Sequence, residues 1–248
     1  MVEARYPSLK NRHVLVTGGG SGIGAAIVTA FAAQGSRVSF IDNDEKESNA
    51  LLEKCPGVRF VKCDLTDLDA LHGVLENLLS DLGRIDVLVN NAARDDRHNL
   101  ADISPAFFDR SIAVNLRHFV FASRSVAPEM IAAAKGVILN LGSVSWHLGL
   151  ADLLLYETAK AGIEGFTRAL ARDLGPSGIR VACIVPGKVE TARQQKWYTP
   201  EAEAEIALSQ CLPIFIQPDD VAALALFLAS DDARCCTGHS YFVDAGWS

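Results

Sequence analysis

Tyr156 and Lys160 stand four residues apart in LLYETAKAG, and Ser143 lies thirteen residues upstream of Tyr156, just after the apolar run VILNL. Residues at i and i+4 share one face of a helix, so this spacing sets the Lys160 ammonium beside the Tyr156 phenol. A free phenol titrates near 10, and ionising it at pH 7 costs about 4 kcal/mol. A unit charge about 4 Å away, in an effective dielectric of about 20, offsets about 4 kcal/mol before desolvation is subtracted. Tyr156 can therefore act as a general base, with Ser143 offering its hydroxyl to the substrate oxygen that loses the proton. An ordinary amphipathic helix carries the same Tyr-x-x-x-Lys spacing, so the pair gains meaning only from the elements that position it.

The first such element lies near the N-terminus. The apolar run HVLV leads into Thr17-Gly18-Gly19-Gly20-Ser21-Gly22-Ile23-Gly24 and then AAIVTAFAAQG, a strand, a glycine turn and a helix. Gly18 and Gly22 let backbone turn and approach a pyrophosphate, Gly24 lets the helix pack close, and the helix N-terminus supplies free N–H groups. An acidic residue, Asp42, ends the next strand, RVSFID. That order of elements is the dinucleotide-binding pattern rather than a chance turn. Asp42 can accept both hydroxyls of an adenosine ribose, whereas a 2'-phosphate would meet Asp42, Asp44 and Glu45. Arg37, the nearby basic residue, is better placed to cap the start of its strand. The expectation is NAD rather than NADP.

Short β-branched runs recur along the chain as HVLVT, RVSFI, VRFVK, IDVLVN, GVILNL, IRVACIV and HSYFV. Amphipathic segments around 22–34, 44–54, 67–82, 105–132, 152–174, 200–210 and 218–230 separate them. Alternation of this kind predicts an α/β fold: a doubly wound, parallel, seven-stranded sheet of Rossmann type with helices on both faces. Ligands of such sheets bind beyond the C-terminal strand ends, where Gly22, Asp42, Asn91 and Ser143 should gather.

At 248 residues and 49% hydrophobic, the chain can bury a large core as a single domain. No apolar run reaches membrane length, and MVEARYPSLK lacks a signal-peptide core, so a cytoplasmic location is the default expectation. The net charge of −7 without a basic cluster argues against nucleic acid and anionic lipid as partners and for a small neutral substrate. Cysteines at 55, 63, 183, 211, 235 and 236 show neither metal-ligand spacing nor a disulfide framework, and read as reduced packing residues; no metal site is expected.

Taken together, these motifs make the chain resemble a short-chain dehydrogenase/reductase over nearly its whole length. TGGGSGIG resembles that family's cofactor loop, Asp64 and Leu65 in KCDLTD its adenine contact, NNAA at 90–93 its NNAG segment, and Asn115 in VNLRH its catalytic asparagine. The resemblance implies that Ser143 steadies the substrate oxygen and that Tyr156 moves the proton. It further implies that Lys160 holds the nicotinamide ribose while lowering the phenol's pKa, and that Asn115 helps hold a relaying water. Val189 and Thr191 in PGKVET are expected to meet the carboxamide and phosphates. Ala93 departs from the family's usual glycine, which would weaken NAD binding only if that position needs positive φ. A homotetramer is expected, with assembly surfaces on the helix carrying Ile163, Phe166 and Leu170 and on FVDAGWS. Asp64 could instead simply cap the helix beginning near Thr66-Asp67.

Substrate choice must come from outside that shared core. The loop Arg94-Asp95-Asp96-Arg97-His98-Asn99 and the residues Ser145, Trp146 and His147 suit a polyhydroxylated ligand, with Asp95, Ser143, Ser145, His147 and Tyr156 as candidate contacts. An apolar substrate would leave such groups unpaired at about 1–3 kcal/mol each. The segments NNAxxDDRHxLAD, GSVSWHLGL, LYETAKAGIEG, QKWYTPE and CTGHxYxxDAGW resemble the family's bacterial pentose dehydrogenase branch. That resemblance implies oxidation of an aldopyranose, a pentose such as D-xylose or L-arabinose, at C1 to its lactone. Two alternatives stay open: a dehydrogenase of another hydroxyl or carbonyl substrate such as a keto-sugar acid, and a non-catalytic dinucleotide-binding sensor. A substrate lid is expected across 190–212, where Trp197 and Tyr198 close on the ligand or pack beneath it.

Overall fold

All seven expected strands form and pair in parallel. The computed structural model describes residues 3–193 and 199–247. In chain order the strands and helices are β1 (His13–Thr17), α1 (Gly22–Ala33), β2 (Arg37–Asp42), α2 (Glu45–Lys54), β3 (Arg59–Lys62), α3 (Leu68–Leu82) and β4 (Val87–Asn90). There follow α4 (Pro105–Ile112), α5 (His118–Ala132), β5 (Gly136–Leu141), α6 (Ser145–Leu148), α7 (Leu154–Leu174), β6 (Ile179–Pro186), α8 (Pro200–Ser209), α9 (Pro218–Ala229) and β7 (Ser240–Val243). The sheet order is β3-β2-β1-β4-β5-β6-β7. From β1 the chain winds outward to β3, then returns to the other side of β1 for β4, so the strand order reverses between β1 and β4. A crevice for a ligand opens at such a reversal.

Strand composition follows from burial on both faces, which favours nearly continuous Val/Leu/Ile runs. Along β1, Val14 and Val16 enter the core beneath α1 and α9 while Leu15 points into the one beneath α3 and α5. In β4, Val87 and Val89 face the first core and Leu88 the second. A smaller cluster of Phe119, Val144, Ile163, Cys183 and Val185 packs α5 and α7 against β6.

Helix starts are set by local chemistry. Asp44 accepts from the N–H groups of Lys46 and Glu47 (3.0 and 3.1 Å), and Asp67 from Asp69 and Ala70 (3.1 and 3.0 Å), capping α2 and α3. The cap of α3 is therefore Asp67, while the Asp64 carboxylate accepts from the Thr66 N–H and hydroxyl.

Two expectations need correction. The long helical pattern over 105–132 is not one α-helix, because one π-helical turn at Ala113–Arg117 divides α4 from α5. Ile163 is wholly buried, whereas Phe166 and Leu170 are half-buried against the edge of the protein's own core. Among the cysteines, Cys55, Cys63 and Cys183 are buried packing residues as expected, whereas Cys211 and Cys235 are exposed. Trp197 and Tyr198, the aromatics expected in a lid, lie outside the described residues.

Candidate active site

Beyond the carboxyl ends of β1, β2, β4, β5 and β6 lies a cleft of about 720 Å³. Its floor is the glycine loop, tied to the NNAA segment from both sides. The Thr17 hydroxyl accepts from the N–H of Asn91 (3.0 Å) and of Ala92 (3.2 Å), and the Asn91 amide donates to the carbonyls of Thr17 (3.0 Å) and Gly18 (2.9 Å). Gly18 has φ 65°, and a Cβ there would come within 2.8 Å of the Ala92 Cα. At Gly24 a Cβ would collide with the Gly18 carbonyl. Only glycine fits at either place, and the result is open backbone at the start of α1, whose N-cap Ser21 makes no side-chain bond to the first turn.

Asp42 sits at the end of β2 on the rim of this cleft. Its carboxylate accepts from the N–H of Gly20 (2.8 Å) and of Asp44 (3.0 Å), so it shapes the glycine loop as well as facing the cleft. Asn43, Asp44 and Glu47 line the same end. Arg37, at the opposite end of β2, turns its guanidinium to the carbonyls of Asn11 and Leu82. Asp64, Leu65, Asn91, Val189 and Thr191 complete the lining, with Ser21, Gly22 and Ile23. Ala93 is absent from the non-glycine residues with positive φ, so the methyl imposes no backbone strain.

Ser143, Tyr156 and Lys160 converge at the centre of the cleft. The Lys160 ammonium lies 5.4 Å from the centroid of the Tyr156 ring and donates to the Leu141 carbonyl at the end of β5 (2.7 Å). Lys160 is 2% exposed. Burial pulls its pKa down to about 8, with the Arg193 charge pulling the same way and Asp95 opposing it. At neutral pH the amine therefore keeps its charge, close to an outer boundary. The Ser143 hydroxyl donates to the Ser145 hydroxyl (2.9 Å) and accepts from the Ser145 N–H (3.2 Å), which fixes its direction. This arrangement can ionise a phenol and hold an oxygen as it loses a proton.

The π-helical turn directs two side chains at the back of the NNAA segment. Asn115 accepts from the Arg94 N–H (2.8 Å) and donates to the Arg94 carbonyl (2.9 Å). It is 1% exposed and does not line the cleft. Its amide is thus a brace for the backbone of residue 94 rather than a group facing the ligand. His118 is buried beside it and donates through Nε2 to the Ala92 carbonyl (3.1 Å).

Of the expected substrate contacts, Ser143, Ser145, Tyr156 and Asp95 line the cleft and His147 does not. The His147 ring bonds to Glu164 (2.9 Å) and meets the edge of Phe242 with ring centres 5.0 Å apart. Trp146 likewise donates to Glu164 (2.7 Å) instead of forming a wall of the cleft. Ser240 donates to the other Glu164 oxygen (2.6 Å), making that carboxylate a hub between α6, α7 and β7. Arg193 was not anticipated. It spans the cleft mouth, bonding Asp95 through Nε (2.9 Å) and the Ala93 carbonyl (3.0 Å). An arginine two residues beyond Thr191, facing an aspartate-rich loop, was the available sequence signal.

Residues 18–248 match the family model described as enoyl-(acyl carrier protein) reductase. The chain is 56% identical, over all of both chains, to a D-xylose 1-dehydrogenase of Caulobacter vibrioides. It is 43% identical to a probable galactose dehydrogenase of Rhizobium meliloti, covering 98% of this chain and 97% of that one. A solved 3-oxoacyl-[acyl-carrier protein] reductase from Brucella melitensis superposes with a TM-score of 0.89 at 32% identity, covering 98% and 94% of the two chains. No helix among the described residues is long and apolar enough to cross a membrane, and no group of three or more His, Cys, Asp or Glu among them could hold a metal ion. With the glycine loop, the Ser143–Tyr156–Lys160 centre and these full-length matches in hand, the chain belongs to the short-chain dehydrogenase/reductase family, whose members are oxidoreductases using a nicotinamide dinucleotide.

Proposed function

We propose that the protein oxidises an aldopyranose, a pentose such as D-xylose or L-arabinose, at C1 to the aldonolactone, with NAD as acceptor. The observation that carries this reading is the meeting of Ser143, Tyr156 and Lys160 in a cleft also lined by Asp95, Arg97 and Ser145. Full-length identity of 56% to a D-xylose 1-dehydrogenase supports the choice of substrate.

The open glycine backbone fits a dinucleotide. Gly18 and Gly24 let the loop close tightly on Ala92 and on itself, and Gly22, at φ 53°, presents bare backbone at the start of α1 where phosphates can approach its N–H groups. Gly18, Ser21, Gly22, Ile23 and Gly24 would hold the pyrophosphate, Asp42 the adenosine ribose, Asp64 and Leu65 the adenine, and Asn91, Val189, Thr191, Tyr156 and Lys160 the nicotinamide half. The acidic lining at Asp42, Asp44 and Glu47, with Arg37 turned away, supports NAD over NADP. When bound, the nicotinamide accepts the hydride given up by C1.

The protein's own groups manage the proton. Tyr156, its phenolate stabilised by the Lys160 charge, takes the proton of the anomeric hydroxyl. Ser143, turning its one hydroxyl proton away from Ser145, donates to the same oxygen as its negative charge grows, a stabilisation available mainly in the transition state. Lys160 stays below the phenol, anchored by the Leu141 carbonyl. Asn115 fixes the backbone of Arg94 and so the start of the loop over the sugar. We also propose that the enzyme is cytoplasmic, that it works as a homotetramer, and that residues 190–212 form its substrate lid.

The test is the initial rate of NADH formation with NAD and a panel of aldoses, D-xylose and L-arabinose included, together with identification of the lactone. Turnover of one pentose with lactone formed is the expected result. If no aldose turns over while NAD still binds, the sugar assignment falls, and keto-sugar acids are the next substrates to assay.

A further inference from the structure

Helix α7 carries Tyr156 in its first turn, yet its N-cap, Leu153, has no side chain able to accept from the exposed N–H groups there. The missing acceptor comes from a residue 57 positions away in sequence. The Leu155 N–H donates to Nε2 of His98 (3.3 Å). Because Nε2 accepts, the ring must carry its proton on Nδ1, and Nδ1 donates to the Asp96 carbonyl (2.9 Å). The His98 N–H also donates to the Asp152 carbonyl (3.0 Å), and its ring, 8% exposed, meets Phe107 edge-on with centres 4.9 Å apart. Both ring nitrogens and the backbone N–H are engaged, and two of these three bonds grip the turn that launches α7.

We propose that His98 is a positioning residue for the reaction: as the neutral Nδ1–H tautomer it caps α7 from the neighbouring loop and sets where the Tyr156 phenol stands. The inference rests on reading Tyr156 as the general base. His98 touches neither substrate nor cofactor. Its effect passes through the backbone of Leu155 to the adjacent Tyr156. A loss of this cap lets the first turn fray, and small misplacements of a reacting group are costly to turnover while leaving dinucleotide binding on the far loops alone.

Two replacements separate the two ends of the imidazole. In His98→Gln the side-chain oxygen can reach the Leu155 N–H in place of Nε2. In His98→Asn the shorter amide can keep the Asp96 contact in place of Nδ1 but falls short of Leu155. Steady-state kinetics with the aldose and NAD, alongside NAD titration by fluorescence, should give His98→Gln a kcat near wild type. His98→Asn should lose about 10- to 100-fold in kcat, with NAD affinity, held chiefly by the glycine loop and Asp42, changed by no more than about twofold. His98→Asn equal to or faster than His98→Gln would overturn the proposal. A parallel Tyr156→Phe enzyme keeps the two ideas apart: if it retained wild-type turnover, the general-base reading itself would fall and this proposal with it. An inactive Tyr156→Phe beside a fully active His98→Asn would sink only the role of His98.

Discussion

Lys160 holds its ammonium 5.4 Å from the centre of the Tyr156 ring while donating to the Leu141 carbonyl, so one strand end fixes where that charge stands beside the phenol. With its pKa lowered to about 8 by burial, Lys160 is charged at neutral pH. Lys160→Met removes that charge, and the Tyr156 phenol must then ionise unaided. The acid limb of the kcat/KM profile should move to higher pH, and activity at pH 7 should drop by about 10²-fold or more. An acid limb that stayed in place would separate Lys160 from the proton step.

Asp42 should set the cofactor preference. Wild-type enzyme is expected to use NAD far better than NADP, because a 2'-phosphate would enter a rim lined by Asp42, Asp44 and Glu47. Asp42→Asn keeps an acceptor for the Gly20 N–H and removes one charge. The ratio of kcat/KM for NAD over NADP should fall by about tenfold, the equivalent of about 1.4 kcal/mol. A ratio that did not move would place the discrimination elsewhere on the loop.

For His147 the structure reverses the expectation from sequence. Its ring is bonded to Glu164 and packed on Phe242, outside the cleft. His147→Ala should leave the KM for the sugar within about twofold and cost about 1 kcal/mol of stability, the net value of a lost hydrogen bond. Kinetics and a thermal melt on the same sample would decide it: a large rise in KM with an unchanged Tm would return His147 to the substrate.

His118 should make the fold acid-sensitive. Burial, assisted by the Lys160 charge, lowers its pKa to about 4 from 6.5. The unfolded chain binds that proton near 6.5 and the folded chain only near 4, so the stabilisation is complete above 6.5 and drains away as pH falls between the two values. At pH 5 the loss from this residue is about 2 kcal/mol. His118→Gln keeps a donor for the Ala92 carbonyl without a titrating ring. Urea unfolding at pH 7 and pH 5 should show a smaller drop for this variant than for wild type, in which buried His13, also shifted down, adds to the slope.

Much of this was legible in the sequence because the signals are local. Most strands carry a short apolar run, α2 and α3 begin at Asp44 and Asp67, and the glycine loop announces its own conformation. What escaped depends on events that leave no local mark. Ala-Val-Asn-Leu-Arg at 113–117 suits an α-helix as well as a π turn, so the rotation that aims Asn115 and His118 at the NNAA segment could not be read off. Ser143, Ser145 and His147 alternate along the chain and would share one side of an extended segment. The chain instead enters α6 at Ser145, and two steps along a helix turn a side chain by about 200°, which carries His147 to the opposite side. The Arg193 bridge joins residues 98 apart in the chain and had no periodicity to betray it.

The sheet's continuous apolar strands carry little information about which residue of one strand belongs beside which residue of the next. A slide of β5 by two positions along β4 would still bury Val, Ile and Leu on both faces. Asn90 and Asn140 remove that ambiguity. They lie directly opposite each other in the native register, where Asn90 donates to Asn140 (2.9 Å) and to Ser123 (3.2 Å), and Asn140 donates to Thr167 (2.9 Å). A misaligned sheet would leave two buried amides without each other in a medium where that is expensive. The pair thus works as a proofreading mark for assembly, and because Leu141 follows Asn140, correct alignment also delivers the carbonyl that anchors Lys160.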